Sequence, residues 1–195
     1  GNISWEAKEL EPGSYYDVSS DAWYFDAVKY AGEKGLMSGT GAGKFSPDSA
    51  ADRGMIVTIL HRMEGTPQAS DGAVFDDVDS GSYYAGAVSW AASENIVSGY
   101  SDTLFGPTAK ITRQQLAVML YRYAQYKGFD VNSSGDLSSF RDSGSIADYA
   151  EEAMSWAVAE GMISGTDTSL LLPAGNATRA QIAAILMRFC SNFTE

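Results

Sequence analysis

The sequence predicts a mainly α-helical fold of three two-helix copies, on three observations: an internal repeat, two apolar stripes of helical period in every copy, and capping residues at the ends of those stripes. The repeat runs without gaps over long stretches. Asp17-Val18 and Asp77-Val78 stand 60 residues apart, and the same offset pairs Trp23-Tyr24 with Tyr83-Tyr84, Ser38-Gly39 with Ser98-Gly99, Phe45-Ser46-Pro47 with Phe105-Gly106-Pro107, and Arg53 with Arg113. An offset of 66 then pairs Trp90 with Trp156, Ser98-Gly99 with Ser164-Gly165, Pro107 with Pro173, and Thr112-Arg113 with Thr178-Arg179. Phe140-Arg141-Asp142 fits Phe75-Asp76-Asp77 at 65, so copy three has one inserted residue after its opening. The copies are read as residues 16–66, 75–128 and 139–193, after a lead-in over 1–15. Self-similarity at a period of this length marks units that stack rather than stand alone.

In each first helix apolar residues recur at i, i+3, i+4 and i+7: Tyr24, Ala27, Val28 and Ala31, then Tyr84, Ala87, Val88 and Ala91, then Ala150, Ala153, Met154 and Ala157. These helices are expected to stop at Gly35, Asn95 and Gly161, residue types that tolerate the left-handed conformation past a helix end. The second helices show the same stripe at Ile56, Ile59, Leu60 and Met63, at Leu116, Met119, Leu120 and Tyr123, and at Ile182, Ile185, Leu186 and Phe189. They begin at Asp52, Thr112 and Thr178, which are good N-caps, and Thr-x-x-Gln makes a capping box in copies two and three. The joining stretches 65–72 and 127–139, rich in Gly, Ser, Asp and Pro, read as surface loops. Six stripes need one another for burial, so one interdependent domain with approximate threefold symmetry is expected.

Composition narrows the function classes. Thirteen Lys and Arg face 25 Asp and Glu, a net charge of −12. That balance argues against nucleic acid and against an anionic membrane surface, both of which call for clustered cations. No apolar run approaches the roughly 20 residues that span a bilayer. Gly1-Asn2-Ile3-Ser4-Trp5 lacks the basic and apolar regions of a secretory leader, so any targeting segment is expected elsewhere in a longer protein. One His and one Cys exclude a His/Cys metal cluster and an internal disulfide. Asp76-Asp77-Val78-Asp79-Ser80-Gly81 resembles a calcium loop, but Val88 stands where the bidentate acid belongs, so no metal and no cofactor is expected.

The chemical signal is an arginine repeated in the first turn of each second helix: Arg53, Arg113 and Arg179. A cation there faces the positive end of the helix dipole, which costs roughly 0.3 to 1 kcal/mol. A guanidinium beside unpaired helix amides suits a carboxylate or phosphate, held by two parallel hydrogen bonds. The alternative is an ion pair with a carboxylate of the neighbouring copy. The second repeated arginine, Arg62, Arg122 and Arg188, is read as a cation complementing the helix C-terminus. His61 falls off the apolar stripe and reads as a solvated surface residue, Cys190 as a core thiol, and Trp90 and Trp156, with Tyr30 in copy one, as packing between copies. Trp23, Tyr83 and Tyr149 open the first helices, where a ring could pack or could stack on the apolar face of a sugar.

Phe75-Asp76-Asp77-Val78, Tyr83-Tyr84, Ala87-Val88, Ile96-Val97-Ser98-Gly99, Phe105-Gly106-Pro107 and Ile111-Thr112-Arg113 together resemble the S-layer homology family, over three copies from about Tyr16 to Phe193. The resemblance implies a trefoil around a central helical bundle. It also implies noncovalent, nonenzymatic anchoring to secondary cell wall polysaccharide, commonly bearing a pyruvate ketal on N-acetylmannosamine, at the surface of a cell with a Gram-positive-type wall. Cargo domains in the same polypeptide are implied with it. The candidate glycan-binding residues are then Arg53, Arg113 and Arg179, Ser38-Gly39, Ser98-Gly99 and Ser164-Gly165, and Trp23, Tyr83 and Tyr149. The family's helix start is Thr-Arg-Ala-Glu; copies two and three keep Thr-Arg with Gln for Glu, and copy one keeps only the Arg. Copy three also reads Leu170-Leu171-Leu172-Pro173 where the family has an aromatic and a small residue before Pro. Copy two fits best, which gives Arg113 the greatest expected weight. The competing reading is a structural or protein-interaction domain in which the arginines only tie copies together.

Overall fold

The computed structural model describes residues 13–69 and 75–194, so the lead-in expected over 1–15 and the loop expected over 65–72 fall partly outside the described residues. The described chain is mainly α: α1 (Phe25–Glu33), α2 (Arg53–Met63), α3 (Ala85–Ser93), α4 (Arg113–Tyr126), α5 (Glu151–Ala159) and α6 (Arg179–Phe193), with isolated β-bridges in place of strands. No helix among the described residues is long and apolar enough to cross a membrane. The residue inserted in copy three falls where two short 3-10 turns, Ser143–Ser145 and Asp148–Ala150, precede α5.

The first helices end as their sequences require. Gly35, Asn95 and Gly161 have φ of +67°, +59° and +68°. The next amides, of Leu36, Ile96 and Met162, reach back to the carbonyls of Ala31, Ala91 and Ala157 at 2.8, 2.8 and 2.9 Å. This six-to-one bond satisfies an orphaned terminal carbonyl, and the three residues that make it are buried, which pins the chain as it leaves the helix.

Each first helix packs on the second helix of the preceding copy: α3 on α2, α5 on α4, and α1 on α6, which closes the cycle. Leu60, Leu116, Ile182 and Leu186 of the second helices are fully buried, as are Val28, Val88 and Met154 of the first. Burying one such side chain contributes about 1.5 to 3 kcal/mol, and here the burying surface belongs to another copy. Trp90 and Trp156 lie at two of these junctions, beside His61 and Tyr126 and beside Tyr121 and Phe193 respectively. His61 is thus not a solvated surface residue: it is half-buried, and its Nε2 lies 2.8 Å from the Pro67 carbonyl. Cys190 is buried in α6.

The segments entering the second helices meet in a closed ring of backbone hydrogen bonds. Ala51 donates to the carbonyl of Ala177 (3.3 Å), Ala177 to that of Ile111 (3.0 Å), and Ile111 to that of Ala51 (2.9 Å). All three residues are buried, so each bond stands where an unpaired amide would cost about 1 to 3 kcal/mol.

Candidate ligand-binding grooves between the copies

The opening carboxylate of each copy builds the loop on which the preceding copy's first-turn arginine lands. Asp17 accepts the amides of Phe45 and Ser46, Asp77 those of Phe105 and Gly106, and Asp142 those of Leu171 and Leu172, all at 2.7 to 2.9 Å. Burial works to raise the Asp17 and Asp142 carboxyls, but their backbone amide donors outweigh it and hold both below the ordinary aspartate value. The clamp fixes a left-handed residue at Ser46 (φ +57°), Gly106 (+73°) and Leu172 (+53°), followed in every copy by Pro.

That loop docks on the second helix of the preceding copy and uses up its terminal amides. Arg53 and Gly54 donate to the carbonyls of Ala109 and Pro107, Arg113 and Gln114 to those of Gly175 and Pro173, and Arg179 and Ala180 to those of Ser49 and Pro47, at 2.8 to 3.0 Å. The expected anion site of guanidinium plus unpaired amides is therefore corrected: the positive ends of these helices are satisfied by neighbouring carbonyls. Thr112 and Thr178 form the expected capping boxes with Gln115 and Gln181. Asp52 does not cap; its Oδ1 takes Lys110 Nζ of copy two at 2.6 Å.

Each arginine crosses into the groove of the next copy. Arg53 donates from Nε to the Phe105 carbonyl (3.2 Å) and from Nη2 to that of Ser98 (3.1 Å), with Tyr100 and Phe105 rings 4.6 and 4.7 Å from its guanidinium carbon. Arg179 repeats this in copy one, with Phe45 O at 2.7 Å, Ser38 O at 2.5 Å and the Phe45 ring at 4.6 Å. Arg113 differs. It reaches the Leu172 carbonyl at 3.4 Å and Gln181 Oε1 at 3.0 Å, and Leu171 stands where the other two arginines have a phenyl ring. Among the described residues no carboxylate pairs with any of the three, so the expected ion-pair alternative gives way to carbonyl bonds. Burial lowers the pKa of all three guanidinium groups from the ordinary arginine value.

The remaining sequence candidates converge on the same places. Ser38 and Gly39 line a groove with Arg179 and Tyr83, Ser98 and Gly99 one with Arg53 and Tyr149, and Ser164 and Gly165 one with Arg113 and Trp23. Each groove thus takes its floor from one copy, its first-turn arginine from the copy before and its aromatic from the copy after. Tyr83, Trp23 and Tyr149 are 66, 66 and 59% exposed, so they are groove walls and not core. Gly99 has a structural reason of its own, since an added Cβ would run into the Leu104 and Ser101 carbonyls and the Phe75 ring.

Two features escaped the sequence reading. Arg62, Arg122 and Arg188 line the same three grooves, and only Arg62 lies in the last turn of its helix, so the dipole explanation fails for the other two. Arg122 donates to Ser98 Oγ at 3.0 Å and Arg188 to the Met162 carbonyl at 3.0 Å. Their recurrence nine residues after the first arginine was the available signal. Tyr100, stacked on Arg53, has no counterpart in the other copies and so left no repeat to find.

The sequence model of the S-layer homology domain matches residues 14–54, 74–117 and 139–183. Over 172 residues the chain is 28% identical to an endoglucanase of Bacillus sp. (strain KSM-635), covering 88% of this chain and 18% of that protein. It is 28% identical to the surface-layer 125 kDa protein of Lysinibacillus sphaericus over 86% of this chain and 14% of that one. With a surface layer protein of Brevibacillus choshinensis it shares 32% identity over 55% of this chain and 10% of the relative. The chain spans less than a fifth of the length of these curated relatives.

Proposed function

The chain belongs to the S-layer homology domain family, and from that premise we propose that it is a noncatalytic module that attaches a larger surface protein to the cell wall by holding an anionic polysaccharide in the grooves between its copies. The observation that carries the reading is the threefold recurrence of one constellation: two arginines, a Ser-Gly floor and an exposed aromatic, supplied to each groove by successive copies. The second arginine supplies charge and a planar fork for a carboxylate, the aromatic a face for the sugar's C–H bonds, and the first arginine, buried in two grooves and half-buried in the third, a fixed positive charge beneath them. A pyruvate ketal would place one carboxylate on a sugar ring, which is the chemistry such a groove fits.

The net charge of −12 opposes the approach of an anionic polymer. Screening over about 8 Å at physiological salt leaves the outcome to contacts inside the groove. An endoglucanase and surface-layer proteins share this segment within otherwise longer chains, which supports an attachment unit whose cargo differs from protein to protein. A second reading, a purely structural or protein-interaction domain, draws on the carbonyl bonds that hold Arg53 and Arg179.

Cosedimentation with purified cell walls, before and after chemical removal of pyruvate, separates the two. The glycan reading expects at least tenfold weaker binding to depyruvylated walls. Binding that is absent from both preparations, or a protein ligand that is bound instead, favours the second reading.

A further inference from the structure

The three grooves share a plan but not their contents: the third residue after each second-helix cap is Met55 in copy one and Gln115 and Gln181 in the other two. We propose that the copy-two groove is the one open to the acidic sugar and that Met55 shuts the copy-one groove. The proposal rests on the glycan reading above.

In the copy-one groove all three nitrogens of Arg179 are engaged. Nε and Nη2 bond the Phe45 and Ser38 carbonyls, and Nη1 lies 3.2 Å from Met55 Sδ. The space left is about 170 Å³. In the copy-two groove Gln115 gives its amide to the Tyr100 hydroxyl at 3.2 Å, and Arg53 Nη1 has no hydrogen-bond partner among the described residues. That groove holds about 390 Å³, within the usual range for small-ligand sites, and no carboxylate lines it. The copy-three groove is larger, about 600 Å³, but Gln181 occupies Arg113 Nη2 and the groove wall includes Asp167. Copies one and two have Gly41 and Ser101 at that place, so only copy three sets a carboxylate against an incoming anion.

The experiment is calorimetric titration of the whole chain with a pyruvylated N-acetylmannosamine disaccharide. One ligand per chain is expected. Arg122→Gln and Tyr149→Ala, both on the accessible wall of the copy-two groove, should each weaken binding at least tenfold and leave no second site of the original affinity. Met55→Ala and Met55→Ser, both of which empty the space against Arg179 Nη1 and are too short to bond it, should raise the stoichiometry toward two. More than one site in the unmodified chain, a residual site of original affinity in Arg122→Gln, or an unchanged stoichiometry in both Met55 variants would overturn the assignment and leave the glycan reading standing. Failure of the unmodified chain to bind the disaccharide at all would remove the glycan reading, and this inference with it.

Discussion

Replacing Arg53 by Ala should cost far more stability than replacing Arg113 by Ala, although the repeat makes them equivalent in sequence. Arg53 is 5% exposed, donates two hydrogen bonds to carbonyls of the next copy, and lies against two rings. Charged hydrogen bonds contribute about 1.5 to 3 kcal/mol each, and at 3.2 and 3.1 Å the lower figure applies, giving roughly 3 kcal/mol for the pair. Stacking adds about 0.5 to 1 kcal/mol, which is offset in part by water entering from the groove to solvate the freed carbonyls. The sum is about 3 kcal/mol, or roughly 6 to 12 °C in Tm for a domain of this size. Arg113 keeps one 3.4 Å and one 3.0 Å contact, half-exposed and without a ring, so about 1 kcal/mol is expected. Urea unfolding at pH 7 with unchanged m-values reads the difference directly. Equal midpoints for the two variants would refute the claim that a carbonyl clamp and ring stacking, rather than sequence position, set the arginine's structural weight.

Thr112→Ala should lose about 1 kcal/mol through its capping box, whereas Asp52→Ala, which removes only an exposed pair with Lys110, should lose less than about 0.5 kcal/mol; thermal unfolding of both variants checks the order. Asp142 has a folded pKa below its unfolded value of about 3.9, so its contribution is complete above about pH 4 and is lost as pH falls through the folded value. Asp142→Asn should therefore be less stable at pH 7 and show a shallower decline in acid, and parallel stability curves between pH 5 and 2 would contradict this. Residues 16–65 alone should show no cooperative unfolding transition, because the partner of α1 is α6 and that of α2 is α3, both outside the fragment.

Much of the fold was legible because the signals were local. The i, i+3, i+4 stripes located six helices, and Gly35, Asn95 and Gly161 marked the ends of three of them through a backbone conformation only such residues adopt easily. Thr112 and Thr178 declared their capping boxes. Partnership was not legible: a stripe says which face is apolar, not which copy covers it, so the pairing of each first helix with the preceding copy emerged only in three dimensions. The same crossing hid the site. Arg53 was read against its own helix, yet its amide and its guanidinium both meet carbonyls of copy two, brought there by the loop that Asp77 clamps. Asp52 looked like a cap because the sequence shows neither the backbone around it nor Lys110 opposite. Arg122 and Arg188 were given to the dipole, yet they precede the helix ends at Tyr126 and Phe193 by more than the last turn, and where they sit relative to a neighbouring copy's groove is not written in the helix itself.

The central claim, that arginines in grooves between copies hold an anionic wall polymer, is tested most directly by the triple variant Arg62→Gln, Arg122→Gln, Arg188→Gln, cosedimented with purified cell walls at physiological salt. These three side chains reach their grooves from outside the buried core, so the variant should unfold within a few degrees of the unmodified chain. The account predicts at least a tenfold loss of wall binding at that nearly unchanged stability, whereas wall binding retained in full by the folded triple variant would contradict it.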